Sequence, residues 1–282
     1  MIAVAVLTVQ ELIRRRFVVA AIAVTLLLAA LTAWGFEHLI HMHARNGRLP
    51  GRVEILTVSA ILLILIAYMF SFVLAVVGVF IAAPSVANDV ESGVLLPVLT
   101  RPLTRSALIS GKILALACVV SAYAAFAGAV EFAIVHAISG YLPPHPVQAV
   151  AYLCLLAIVM LVLTFALSTR LSAIASSVVA IVLFGLAWIA GIAGSLGAFY
   201  GNDAVRDAGI VSQLLLPTDA MWREAVFRLE PAAAFALTAT SHTWPGPFFV
   251  LSPPPLATVV WTIAWIAAVY AIALRSFALR DL

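Results

Sequence analysis

One carboxylate interrupts the apolar run from Ile113 to Ser139: Glu131. A charge in hydrocarbon costs about 2.5–3.5 kcal/mol on insertion scales, so Glu131 must face protein or water, or carry a proton. Two kinds of work suit it. It is either a station on a substrate path or gate, or a neutral or paired contact between helices. His136 follows five residues later, on a different helical face, and forms no obvious pair with it. A second group, Glu37, His38, His41, Met42 and His43, stands just beyond an earlier apolar run. His38 and His41 can share one side of a helix, which suits either metal capture or a polar interfacial cap. The cap is the simpler reading, and no metal ligand is assigned.

Other chemistries lack their residues. There is no G-x-x-x-x-G-K-[ST] and no glycine-rich strand-to-helix turn, so nothing here binds nucleotide by itself. Neither HExxH nor an aspartate pair within an apolar run is present, which excludes the usual intramembrane proteases. Only His136 lies within such a run, so a haem held between helices is excluded as well. Cys118 and Cys154 both sit in apolar surroundings and form no CxxC pattern. No block of like charge marks a nucleic-acid surface in a chain of net charge +3.

The elements that hold these residues follow from composition. Of 282 residues, 65% are hydrophobic and 10% charged, against roughly 25% charged in a soluble domain. Such a surface belongs in lipid, and the chain is not a soluble enzyme. A helix needs about 20 apolar residues to cross about 30 Å of hydrocarbon. Six segments qualify: Phe17–Phe36, Ile55–Ala83, Ile113–Ser139, Ala149–Ser168, Ile174–Phe199 and Leu256–Leu274. Runs this continuous are helical, and the alternating strands of a barrel are missing. The expected fold is therefore all-α and polytopic, with six transmembrane helices in one domain over 1–282.

Arginine and lysine set the orientation. With the N-terminus in the cytoplasm, the inside segments hold Arg14, Arg15, Arg16, Arg101, Arg105, Lys112, Arg170, Arg275 and Arg280. The longer outside segments hold Arg45, Arg48, Arg52, Arg206, Arg223 and Arg228, diluted by seven acids that include Asp219, Glu224 and Glu230. Both termini are expected in the cytoplasm of a multi-pass protein of the cell membrane. Residues 1–16 read as an interfacial helix that turns up into the first span. Residues 200–255 are too broken by proline for a span and too apolar for a free loop. Short re-entrant helices dipping into the outer leaflet fit both facts. Gly185, Gly191, Gly194 and Gly197 line the fifth span, as an internal packing face, a dimer seam or a pore wall.

The inside segment 84–112 carries the most information. Pro84 can open a short helix. Val86, Val90 and Val94 then share one stripe, with Asn88, Asp89, Glu91 and Ser92 over much of the rest. Gly93 interrupts, and Arg101-Pro102 forces an extended turn. The expectation is a short amphipathic helix shaped to dock into a partner's groove, then a basic turn.

Glu91-Ser92-Gly93, Leu99-Thr100-Arg101-Pro102, Arg105 and Gly111-Lys112 together resemble the E-x-G-T … L-x-R-P-x-x-R … G-K pattern of ABC transporter permeases of the type-2 exporter family. The start, Glu11 to Arg16, is similar to that family's amphipathic first helix. Arg275-Ser276-Phe277 with Arg280-Asp281-Leu282 is similar to its basic tail. Leu216–Trp222, Pro247-Phe248-Phe249 and Ser252-Pro253-Pro254 look like a subset related to the permease of nitrous oxide reductase maturation. Val94 replaces the usual threonine, and Pro97 stands in what is usually a helical leucine run.

The resemblance implies a coupling helix that seats on a separate ATPase, with Asp89, Glu91, Gly93, Arg101, Pro102, Arg105, Gly111 and Lys112 transmitting its motion. It implies two ATPase subunits, a second permease copy or a paralogue, and ATP and Mg on the partner with no cofactor on this chain. ATP binding would draw the coupling helices together and open the path outward. An ATP-independent secondary transporter or channel, and an anchor or assembly subunit of a larger complex, are the alternatives. The first usually shows inverted repeats and broken helices, and no such pair is visible here.

Overall fold

The computed structural model describes residues 6–10, 16–45, 52–91, 105–230, 246, 248, 250 and 253–279. Among these every regular element is a helix. They are α1 (Arg16–Arg45), α2 (Arg52–Glu91), α3 (Arg105–Ser139), α4 (Pro146–Ser168), α5 (Ala173–Tyr200), α6 (Asp203–Leu215), α7 (Thr218–Leu229) and α8 (Leu256–Ala278). Six of them, α1 to α5 and α8, are long and apolar enough to cross a membrane. The expected all-helical class and six spans are thus observed. The expected helix over 1–16 is described only at residues 6–10, which are helical.

The sequence explains where these helices stop. Gly140 (φ 69°) closes α3, and Pro146 opens α4 at a position where its missing N–H costs nothing. Ser172 caps α5 by accepting from the Ala175 N–H at 3.3 Å. Gly201, at φ 71°, ends α5 in the left-handed conformation that glycine adopts without strain. Asn202 follows and accepts from the Val205 N–H at 3.2 Å. This Gly-Asn pair folds α6 straight back along α5.

Two apolar clusters fill the bundle. One includes Phe36, Leu63, Tyr68, Met160, Phe184, Trp222 and Leu229. The other includes Leu74, Leu108, Ile109, Leu116, Phe165 and Phe277. α4 is the central pillar, packed on α2, α3, α5, α7 and α8. The first cluster marks the end where α6 and α7 sit, called here the hairpin end. The second marks the end from which the chain connects α2 to α3, called the loop end.

The structure corrects two boundaries. Pro84 was expected to open a separate helix, but it lies inside α2, which continues to Glu91. Pro84 cannot donate to the Phe80 carbonyl, yet neighbours hold the helix together there. Ala82 and Ala83 are buried, the Ser85 hydroxyl donates to the Ala82 carbonyl at 2.6 Å, and α3 reaches across to Ser85. Gly111 and Lys112 were expected in the connecting segment. They lie in α3, which begins at Arg105. At 1.5 Å per residue the 40 residues of α2 reach about 60 Å, so it projects past a bilayer.

Candidate functional site

Loop-end residues come first. Asp89 and Glu91 belong to the last turns of α2, and Arg105 is the first residue of α3. Their side chains, and Gly93, Arg101 and Pro102 entirely, lie outside the described residues. Gly111 is buried. Lys112 is 9% exposed, and its Nζ donates to the Ser85 carbonyl of α2 at 2.5 Å. Lys112 therefore joins two helices, where the motif alone placed it on the docking segment.

Glu131 is buried, 4% exposed, at the seam of α1 and α3. The Thr32 hydroxyl donates to its Oε2 at 2.8 Å, and its Oε1 has no partner among the described residues. Two turns along, Thr25 and Tyr123 share a 2.8 Å bond across the same seam. His136 is exposed. His38 stacks on Trp34, ring centroids 5.3 Å apart. The side chains of His41 and His43 lie outside the described residues.

The densest chemistry is at the hairpin end, in α6 and α7. The α5 glycines are the seat. Gly194 meets Gly209 of α6, where an added Cβ would lie 2.8 Å from the Gly209 Cα. An added Cβ on Gly197 would lie 2.6 Å from the Arg206 nitrogen, and one on Gly191 would fall inside the Asp219 carboxylate. Three of the four glycines are thus an internal packing face. Gly185, with nothing within 4 Å of its would-be Cβ, is not part of it.

Most of α7 is buried, Asp219 and Glu224 included, with Arg223 and Arg228 partly buried. Asp219 Oδ2 accepts from Arg223 Nε and Gln213 Nε2, each at 2.8 Å, and Arg223 Nη2 donates to the Gly191 carbonyl at 2.9 Å. Trp222 packs with Tyr68 and Phe248, and Tyr68 also meets Trp188. Glu224 is 1% exposed. Arg228 approaches it at 3.8 Å, an ion pair too long for a hydrogen bond, and both Glu224 oxygens lack a hydrogen-bond partner among the described residues. Burial outweighs the Arg228 charge and pushes the Glu224 carboxyl up. Glu230 accepts from the Val250 N–H at 2.9 Å, and burial pushes it up to about 7. The Tyr141 hydroxyl, which donates to the Leu229 carbonyl at 2.6 Å, is pushed up by burial and by the Glu230 charge.

A helix end leaves carbonyls that need donors. At the end of α6, α8 supplies two: Trp261 Nε1 donates to Leu214 (3.0 Å) and Trp265 Nε1 to Leu215 (2.9 Å). Trp261 and Trp265 stand one turn apart on one face of α8. Changing Trp265 to phenylalanine is expected to destabilise the fold by about 1 kcal/mol, the contribution of one hydrogen bond, read as a lower thermal midpoint. The double change with Trp261 should cost about twice that. An unaltered midpoint in the double variant would mean that other donors serve these carbonyls.

Reading the sequence had marked 200–255 as unusual without assigning α7 a buried charged network. The signal was present in Asp219-x-x-x-Arg223 and Glu224-x-x-x-Arg228, both at ion-pair spacing on one helix. Among the described residues no group of three or more His, Cys, Asp or Glu could hold a metal ion.

A family model described as "ABC-2 family transporter protein" matches residues 2–282. No curated protein sequence matches the chain.

Proposed function

The chain belongs to the ABC-2 transporter family and is a membrane permease subunit of an ABC transporter; we propose that it serves export and takes its energy from a separate ATPase through the segment 84–112. The observation that carries this is the family match over the whole chain. The loop end adds support, since α2 continues there past the apolar run that ends at Ala83, to Glu91. In this reading Asp89, Glu91, Gly93, Arg101, Pro102 and Arg105 meet or brace the ATPase, and Gly111 and Lys112 support them from within α3. Two ATPase subunits bind ATP and Mg, and two permease copies, or this chain and a paralogue, enclose the path. The loop end and both termini face the cytoplasm of the cell membrane.

The hairpin α6–α7 is proposed to re-enter the outer half of the bilayer. Supporting this, its turn meets Gly191 and Trp265, each nine residues, or about 13 Å, from the hairpin end of its own helix. Leu216–Trp222, the stretch similar to the nitrous oxide reductase maturation subset, forms that turn and the start of α7. If the likeness extends to cargo, recognition belongs here. Glu131 is proposed as a gate between α1 and α3, because parting these helices would expose it.

Co-purification in mild detergent with candidate ATPase subunits, then ATP hydrolysis by the recovered complex, tests the proposal. A stable active complex is expected, with hydrolysis coupling lost on replacing Glu91 and Arg101 by alanine while membrane insertion persists. A chain that purifies alone and leaves hydrolysis unchanged would favour an ATP-independent transporter. Glu131→Gln should reduce transport at equal complex recovery, and unchanged transport would return Glu131 to helix packing.

A further inference from the structure

Polar ties cross between helices at the loop end, and they form a chain. Lys112 of α3 donates to the Ser85 carbonyl of α2. Ser110, two residues before it, shares a 2.6 Å hydrogen bond with the Tyr270 hydroxyl of α8. Ser276, six residues further along α8, accepts from the Thr169 hydroxyl at 2.9 Å and from Arg170 Nε at 2.8 Å. Thr169 and Arg170 form the turn between α4 and α5. The ties therefore run from α2 to α3, from α3 to α8, and from α8 to the α4–α5 turn.

Around them the packing is apolar, with Leu108, Ile109, Phe165 and Phe277 among its residues. Apolar contact has no direction, so packed helices can slide and keep most of it. Hydrogen bonds depend steeply on distance and angle, so they fix one helix's register on the next. Single interhelical bonds in membranes contribute little stability on average. A set that adds so little stability but links α2, α3, α8 and the α4–α5 turn in sequence is suited to transmission.

We propose that Lys112, Ser110, Tyr270 and Ser276 are positioning residues, a belt that carries displacement of the 92–104 connection to α8 and to the α4–α5 turn. Neither of these is joined to that connection by the chain. The inference rests on the coupling reading above and adds the route inside the permease. It also changes what Lys112 does, from docking on the ATPase to bracing α3 on α2.

The test uses the full complex with the ATPase partner in nanodiscs, Cys118 and Cys154 replaced by serine, and nitroxides on Ser106→Cys and Leu171→Cys. Both labelled positions are exposed. In the parent complex, ATP with vanadate is expected to change the distance between the labels. In Tyr270→Phe, Ser276→Ala and Lys112→Met, the change should fall about fivefold or more, and in the first two ATPase recovery and thermal midpoint hold. Tyr270→Phe removes one hydroxyl and keeps the ring, so folding is preserved should Lys112→Met fail to fold. A full change in Tyr270→Phe and Ser276→Ala overturns the belt and leaves the coupling reading standing. Loss of ATPase recovery in Lys112→Met returns that residue to the docking surface. A midpoint that falls in step with the distance change reduces the belt to packing. No change in the parent complex removes the coupling reading itself.

Discussion

Replacing Gly191 with alanine is expected to destabilise the protein by about 3–5 kcal/mol, the cost of breaking a buried ion pair. The same replacement at Gly185 should be neutral or stabilising by up to about 1 kcal/mol, through helix propensity. Both glycines lie in α5, and the difference is what stands against them. At Gly191 the new methyl would occupy the Asp219 carboxylate, which is 2% exposed and holds Arg223 and Gln213. Asp219 cannot yield without leaving Arg223, itself 15% exposed, unpaired in the hairpin. At Gly185 the methyl meets nothing within 4 Å. Thermal midpoints followed by size-exclusion recovery in detergent would measure both. The double variant Gly191→Ala with Asp219→Ala should cost well under the sum of the singles, because both break one pair. Additive losses, or a Gly191→Ala midpoint equal to that of the parent, would mean that the glycine seat does not hold the hairpin.

How much of this was legible in the sequence depends on which interaction set the element. The six spans follow from hydropathy alone, and observed bounds shift by a few residues except at the end of α1, the end of α2 and the start of α3. At α3, Arg105 and Lys112 argued for a loop, but α3 begins seven residues before Lys112 and buries its ammonium against α2. Pro84 misled for the same reason. Proline disfavours helix locally, but the Lys112 bond to the Ser85 carbonyl is tertiary and invisible to local rules. The α5 glycines were recognised as a close-approach face. Their partner could not be named, because Gly209 lies on a helix that composition alone did not reveal. The α7 charges were counted toward topology as outside residues. In the fold Asp219, Glu224 and Glu230 are each buried, and burial of this kind depends on which helix covers them.

The hairpin also makes stability depend on pH, with a sign opposite to that of most carboxylates. Glu230 is 4% exposed, and burial lifts its carboxyl from 4.5 to about 7, more than the Val250 N–H lowers it. A raised acid binds its proton more tightly in the folded protein than in the unfolded chain. Its stabilising contribution is therefore complete below about pH 4.5 and is lost as pH climbs through about 7. At 1.36 kcal/mol per pKa unit this amounts to about 3 kcal/mol across the window. Glu224 is raised too and adds in the same direction. Tyr141, also raised, ionises only under alkaline conditions and leaves this window untouched. Thermal midpoints should thus fall between pH 5 and pH 8, and Glu230→Gln, which keeps an acceptor for the Val250 N–H, should flatten much of that fall. Glu224→Gln should flatten a further part. The difference between parent and Glu230→Gln isolates this one carboxyl from the exposed histidines His38, His136 and His145, which are common to both proteins. A parent midpoint that rises with pH, or a Gln variant with the same slope, would mean that Glu230 is hydrated or paired, and that the Val250 segment does not seal it.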